Sequence, residues 1–301
     1  MEFRRLEYFL AVAREESITR AAEALNMTQP PLSREMKALE EELGRQLLVR
    51  GSRKVTLTEE GRILRRRAEE MLELMEKTRA EVQASGDQVA GDLQIGGGET
   101  CGMALVAEAI CRLQQRYPLI RVHLYSGNAP DVFERLDNGL IDFGLVIDPV
   151  DLDKYDHLQL PYRDTWGLLL RRDHPLAEKE AIEVEDLEDL PLLVSRQAFV
   201  RDGIAGWLGS RRRSPRILGT YNLIFNASLL VLQGAGCALC LSHLVPEYEG
   251  SLLTFRPFRP LLQSGVSVAW KKYQDFPKPA AHFLEMLQQV LGEHSHPTKT
   301  E

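Results

Sequence analysis

Gln29, Ser33, Arg34 and Lys37 follow one another at spacings of four, one and three residues, and their side chains suit the surface of duplex DNA. Lys and Arg neutralise phosphates, Gln and Arg bond base edges through two atoms at once, and Ser is a short donor or acceptor. A second cationic set, Arg50, Arg53 and Lys54, surrounds Gly51 in a turn and fits contact with phosphates beside a groove. Gly96-Gly97-Gly98, a flexible turn, leads to Thr100 at a helix start. Backbone N–H groups and the positive dipole end would favour an anion in that corner, although a plain strand-to-helix turn has the same sequence. Cys101 beside it is either a thiol of lowered pKa or a small buried filler. Cys237 and Cys240 have redox-like or zinc-like spacing, but they lie in an apolar, strand-like run that favours burial, and no second close pair completes a metal site.

Ser17 to Leu43 must present the first set. Ile18, Ala21, Ala22 and Leu25 fall at i, i+3, i+4 and i+7, so one helix buries a small apolar face, and Asn26 ends it. Thr28 is placed to cap the next helix with its hydroxyl, and Pro30 and Pro31 fit its first turn, where a missing N–H breaks no hydrogen bond. Leu32, Met36, Leu39 and Leu43 repeat at four, three and four residues and give that helix a buried side. A helix-turn-helix presents its recognition helix this way, with the N-terminal residues nearest the bases. From spacing alone, two ordinary amphipathic helices with a solvated polar face fit equally well. Short apolar runs flanking Arg50 to Lys54, within Leu47 to Leu57, tilt the balance because they make a two-stranded wing. Upstream, Leu6, Phe9, Leu10 and Ala13 share one face of a supporting helix.

Here the chain resembles the LysR family of bacterial transcriptional regulators. The likeness is carried by Leu6-Glu7-Tyr8-Phe9, Ser17-Ile18-Thr19-Arg20-Ala21-Ala22, Thr28-Gln29-Pro30-Pro31-Leu32-Ser33-Arg34, Leu39-Glu40-Glu41-Glu42-Leu43-Gly44 and Val55-Thr56-Leu57-Thr58-Glu59-Glu60-Gly61. Leu48 departs from the pattern, standing where the family usually has Phe. The resemblance implies DNA contact through Thr28, Gln29, Pro30, Ser33, Arg34 and Lys37, phosphate contact from Thr19 and Arg20, and a grip on the backbone from Arg50, Arg53 and Lys54.

Composition fits a folded, two-domain chain of 301 residues with 44% hydrophobic and 27% charged side chains. No uninterrupted apolar run approaches the roughly 20 residues that cross a bilayer, so no membrane partner is expected. Met1-Glu2-Phe3-Arg4-Arg5 opens an amphipathic pattern rather than a signal-peptide core, which predicts a cytoplasmic protein. In that reducing compartment four cysteines predict no structural disulfide. The net charge of −7 is unevenly spread: residues 1–66 hold 13 Lys and Arg against 11 Asp and Glu, net +2, and the remainder 24 against 33, net −9. Positive charge thus gathers where DNA contact is expected, and binding should weaken steeply with salt.

From Thr58 a long helix is expected to about Gln83, with Thr58 as N-cap and Glu59 and Glu60 at the positive dipole end. Leu64, Ala68, Met71, Met75, Thr78 and Val82 form a narrow heptad seam that suits pairing with another helix more than packing on the chain's own body. The family uses such a linker helix to pair two subunits. Ala84 to Gln88 reads as a polar hinge. Beyond it, strands alternate with helices, which predicts an α/β domain with largely parallel sheets. Strands are expected at Asp92 to Ile95, Ile120 to Tyr125, Phe143 to Ile147, Trp166 to Leu170, Leu192 to Val194, Ile217 to Tyr221, Ala238 to Leu241, Leu252 to Phe255 and Val266 to Trp270. Helices are expected at Met103 to Arg116, Asp131 to Asn138, Gly203 to Leu208, Leu223 to Gln233 and Ala280 to Leu291.

Asp92-Leu93-Gln94-Ile95-Gly96, Tyr117-Pro118, Asp137 to Asp142 and Gly234-Ala235-Gly236 resemble the family's effector domain, although Leu241 stands where a Pro usually closes the glycine motif. The fold implied is an N-terminal winged helix-turn-helix, mainly α (1–58), a long linker and dimerisation helix with its hinge (59–89), and an α/β two-lobed effector domain like a periplasmic binding protein (90–301). Lobe I would take 90–162 and 267–301, and lobe II 163–266. By that likeness a small-molecule effector, such as an organic acid, sits between the lobes. Thr100 and Cys101 would meet it at one corner, with Asn128, Ser195, Arg196 and Gln197 on the cleft sides, Arg196 as carboxylate partner and Phe199 as an apolar wall.

The function expected is a sequence-specific, effector-modulated transcription regulator, a homodimer or homotetramer, with double-stranded operator DNA and RNA polymerase as further partners. No cofactor and no metal are expected. A thiol-based redox-responsive regulator using Cys101 or the Cys237 and Cys240 pair is the alternative. A two-lobed solute-binding protein or enzyme fits less well, because neither a signal peptide nor a Ser/His/Asp set, metal-ligand cluster or nucleotide loop has convincing spacing.

Overall fold

Leu6, Phe9 and Val12 recur every three residues and are fully buried on α1 (Phe3–Glu15), with Leu10 and Ala13 half-buried beside them. The computed structural model describes residues 1–51, 54–83, 89–196, 216–246, 248 and 250–295, in two units, Met1–Ser85 and Gly86–Glu301. In the first, α2 (Ile18–Ala24) starts under Ser17, whose Oγ accepts from the Arg20 amide at 3.3 Å, and the chain turns at Asn26 with φ 53°. α3 (Gln29–Leu43) ends at Gly44, left-handed at φ 64°. β1 (Leu48–Arg50) and β2 (Val55–Leu57) form the antiparallel wing. Glu40 on α3 holds the wing's entry, its Oε1 accepting from the Leu47 and Leu48 amides at 2.8 and 3.0 Å. Thr58 caps α4 (Glu59–Gln83) by accepting from the Gly61 amide at 2.9 Å.

Two expectations in this unit are corrected. Thr28 occupies the N-cap of α3, but its side chain makes no capping bond. A cap accepts from the second or third helical N–H, and here those positions are Pro30 and Pro31, which have none. The α4 seam is also only partly available for another helix. Leu64 and Ala68 are buried in the same core as Leu6, Phe9, Leu32 and Leu39, with Met71 packed alongside, so the first half of the stripe binds the chain's own body. Thr78 and Val82 remain exposed.

In the second unit the strands alternate with helices in a mixed sheet of order β4-β3-β5-β11-β6-β9-β7-β8, with β10 also on β6. β3 (Gly91–Gly97) is parallel to β4 (Ile120–Ser126) and β5 (Phe143–Ile147). β7 (Leu192–Ser195) is parallel to β8 (Ile217–Tyr221) and β9 (Cys237–Leu241). Largely parallel sheets are not found, because β6 (Tyr155–Arg171) and β11 (Gln263–Lys271) are antiparallel to each other and to β9 and β5 respectively, and β10 (Leu253–Pro257) is antiparallel to β6. β6 joins the two halves: residues up to Thr165 pair β11, and Trp166 onward pair β9 and β10. Its first half escapes a hydrophobicity search because it is polar and contains Pro161, which sits where the β6–β11 register shifts and no ladder bond is required.

α5 (Met103–Arg116) and α8 (Lys278–Ser295) cover the first half, whose core includes Leu93, Ile95, Phe143 and Phe283. α6 (Ala129–Asp137) packs Val132 and Leu136 beside Val146. In the second half, successive residues of β6 and β9 point to opposite faces. Leu168, Leu170, Cys237 and Leu239 belong to one core, and Leu169, Ala238 and Cys240 to another that packs on α7 (Ile224–Leu232). Gly96 and Gly97 are strand residues, not a flexible turn: a Cβ on them would stand 2.6 Å from Ile141 Cδ1 and 2.9 Å from Leu145 Cβ. Their missing side chains allow close packing. Among the described residues no helix is long and apolar enough to cross a membrane. The expected hinge at 84–88 and helix at 203–208 lie outside the described residues.

Candidate nucleic-acid interface and ligand cleft

Four glutamates on α3 would seem to spoil an anion-seeking helix, yet each is engaged. Glu35 and Glu42 bind Arg5 at 2.9 and 3.0 Å, Glu40 holds the wing amides, and Glu41 pairs with Lys37 at 3.4 Å. That last pair is more than two-thirds exposed on both sides, so solvent screens it and Lys37 is readily given up to a phosphate. Thr28, Gln29, Pro30, Arg34 and Lys37 are exposed and Ser33 is half-buried, so six adjacent residues share the N-terminal part of one helix face. Arg34 has no ion pair or hydrogen bond to a described residue, and the two prolines leave the Thr28 hydroxyl without a capping donor.

The flanking residues are more committed. Thr19 and Arg20 are exposed, and one Arg20 nitrogen donates to the Glu15 carbonyl at 2.5 Å. Lys54 reaches Glu16 at 3.1 Å. Arg53 lies outside the described residues, and of Arg50 only the strand backbone is described.

A cleft of about 310 Å³ opens in the second unit where β6 and β11 pass between the halves. Asn128 and Ser195 line it. Asn128 also caps α6, accepting from the Asp131 amide at 3.3 Å. Thr100, Cys101 and Arg196 are not on this lining: Arg196 is exposed, and Gln197 and Phe199 lie outside the described residues. Thr100 is buried, donating to Asp164 Oδ2 and accepting from the Gly102 amide at 3.0 Å. The expected anion corner is closed, because the Met103, Ala104 and Leu105 amides bond the Thr100, Cys101 and Gly102 carbonyls at 3.0 to 3.2 Å. The acidic group beside it is the chain's own Asp164, whose carboxyl pKa is raised by burial, against the opposing bond from Thr100.

The residues that do line the cleft beside these two include Glu99, Asp148, Arg163, Trp166, Tyr221, Asn222 and Gln263. Trp166 Nε1 donates to Ser264 Oγ at 2.9 Å and Tyr221 donates to the Leu239 carbonyl at 2.6 Å, so two aromatic walls are fixed. Sequence reasoning missed these residues because they come from five separate segments that only the folded chain brings together.

Cys101, Cys237 and Cys240, the three cysteines singled out in the sequence, are poorly placed for redox chemistry, whereas Cys111 is exposed on α5. Cys237 and Cys240 are both buried but pack in cores on opposite faces of the sheet, and burial pushes Cys237 up to about 11. Burial also raises Cys101, with a bond from Tyr162 opposing, the reverse of an activated thiol. Affinity of a Cys111→Ser variant for duplex DNA should therefore be the same after peroxide as after dithiothreitol. A reversible loss on oxidation, measured by fluorescence anisotropy on labelled duplex, would restore the thiol alternative.

Comparison with known proteins agrees with both units. Residues 3–62 match the model of the bacterial regulatory helix-turn-helix protein, lysR family, and residues 86–292 match the LysR substrate binding domain. The HTH-type transcriptional regulator BsdA of Bacillus subtilis (strain 168) is 30% identical over 295 residues, covering 95% of this chain and 100% of the relative. The Hca operon transcriptional activator HcaR of Escherichia coli (strain K12) is 30% identical over 303 residues, covering 97% and 99%. The fold is similar to that of full-length CbnR complexed with its target DNA, with a TM-score of 0.72 at 22% identity, covering 96% of this chain and 100% of that one. An exposed polar face on the second helix of a winged helix-turn-helix, joined in one chain to a two-lobed α/β substrate-binding domain, makes this protein a member of the LysR family of DNA-binding transcriptional regulators, not an enzyme.

Proposed function

We propose that two copies of this chain, or two such pairs, bind an operator and change its transcription when a small molecule enters the cleft of the second unit. The DNA-contacting set is Thr28, Gln29, Pro30, Ser33, Arg34 and Lys37 on α3, with Thr19 and Arg20 on α2 and Arg50, Arg53 and Lys54 of the wing on flanking phosphates. The observation that carries this reading is the N-terminal face of α3, where Arg34 and Thr28 stand exposed while Glu35, Glu40 and Glu42 are engaged elsewhere and Glu41 meets Lys37 only in an exposed, screened pair. Residues 1–58 form the DNA-binding part, 59–89 the linker that pairs subunits through the exposed end of the α4 stripe, and 90–301 the effector domain with lobes 90–162 plus 267–301 and 163–266. Asn128 and Ser195 contact the effector from the two lobes. RNA polymerase is the further partner, and the protein works in the cytoplasm, where bacterial DNA lies.

Two recognition helices related by a two-fold axis read a site of matching symmetry. Selection of binders from a pool of random duplexes should therefore enrich two inverted half-sites at a fixed spacing, lost above moderate salt. Enrichment of a single unsymmetrical half-site, or of nothing at low salt, contradicts the proposal.

A further inference from the structure

The cleft already holds a carboxylate at one corner, and the chain supplies it. Glu99 stands in the loop after β3 on one wall, and its Oε2 accepts from the backbone N–H of Ile224, the first residue of α7 on the other wall, 125 positions away. α7 has no local alternative. Its N-cap position is Leu223, which has no side-chain acceptor, its first turn has no acidic residue, and the nearby Asn222 Oδ1 is spent on the Leu223 amide. Leucine is among the poorest residues at an N-cap, and the first helical N–H groups carry partial positive charge toward whatever faces them. Glu99 therefore does from across the cavity what Ser or Asp would ordinarily do from the preceding residue.

We propose that Glu99 is a resident occupant of the cleft, an intramolecular carboxylate that ties one wall to the other, so that an anionic ligand takes this corner only by displacing it. The inference rests on reading the cleft as the effector site, and gives that site a regulatory step: binding exchanges one anion for another and breaks a contact between the walls. A ligand without an anionic group leaves the tie intact. The rest of the lining defines the ligand class as a small monoanion with an apolar body. Asp148 disfavours a second negative charge, Arg163 has no ion pair with a described residue and faces the same cavity, and Ile147, Trp166 and Leu262 give apolar surface.

Amide hydrogen exchange at Ile224 in the full chain, resolved by mass spectrometry with electron-transfer fragmentation, tests this directly, with benzoate and acetate as probes. Glu99→Ala should speed exchange at Ile224 by about tenfold, the loss of one charge-assisted hydrogen bond, with α1 unchanged. Millimolar benzoate or acetate should restore protection in Glu99→Ala at concentrations that leave the wild-type chain unaffected. Glu99→Gln, which keeps the shape and an oxygen but not the charge, should fall between. Unchanged exchange at Ile224 in Glu99→Ala overturns the proposal, and so does faster exchange that no carboxylate reverses. Duplex affinity measured on the same samples separates the two levels. If a carboxylate restores protection in Glu99→Ala without altering its DNA binding, the resident-anion role stands and the effector reading of the cleft falls.

Discussion

Arg34→Ala should lower affinity for the selected operator by about 5- to 150-fold, the 1–3 kcal/mol typical of a guanidinium lost from a base edge. Arg34 is exposed at the N-terminal part of α3, the end that a helix-turn-helix brings nearest the bases, and no described acid holds it back. The loss should be greatest for the preferred sequence and small for unrelated duplex, because a base contact specifies whereas a phosphate contact only positions. Sedimentation mass should stay the same, since Arg34 touches neither the core of its unit nor the exposed end of α4. Titration by fluorescence anisotropy at several salt concentrations checks this. An equal loss on all sequences, with a shallower salt dependence, would make Arg34 a phosphate anchor instead.

Phe9→Ala should cost the first unit about 3–5 kcal/mol, the usual penalty for emptying a buried aromatic site. Its ring is fully buried in the core that also holds Leu6, Leu32, Met36, Leu39 and Ala68, residues that α1, α3 and α4 contribute together. That is a large share of the ~5–15 kcal/mol by which a domain is stable, and DNA binding should fail well below the melting temperature of the wild-type chain. The second unit should be spared. Trp166 and Trp270 are strand residues of it and Trp207 is likewise outside residues 1–85, so the tryptophan signal carries nothing from the first unit. Helical circular dichroism should gain an early transition in Phe9→Ala while the fluorescence transition stays in place. A fluorescence shift equal to the dichroism shift would show that the units do not unfold separately.

The helices of the first unit are legible in the sequence because each carries an apolar period, as with Leu32, Met36 and Leu39 on α3, although Leu43, expected on the same buried side, stands exposed where the helix ends at Gly44. Chemistry between neighbours was read less well. Thr28 looks like a capping residue until the two following prolines are counted as missing donors. Gly96 and Gly97 look like a flexible turn because glycine is permissive, whereas here the space is taken by Ile141 and Leu145. The α4 stripe is real, but a period does not say which partner fills it, and α1 takes half. The cleft was least legible. Thr100 was expected on its wall and is instead bonded to Asp164, while Glu99 beside it reaches across to Ile224. The one local clue was Leu223, a helix start with no capping oxygen and therefore in need of an acceptor from elsewhere.

Sedimentation velocity of the full chain, alone and with a fluorescein-labelled selected duplex at low ionic strength, bears most directly on the claim that paired copies place two basic modules on DNA. The predicted result is a dimer or tetramer that carries the label at one duplex per assembly and releases it as salt rises. A monomer that leaves the duplex sedimenting freely would contradict it.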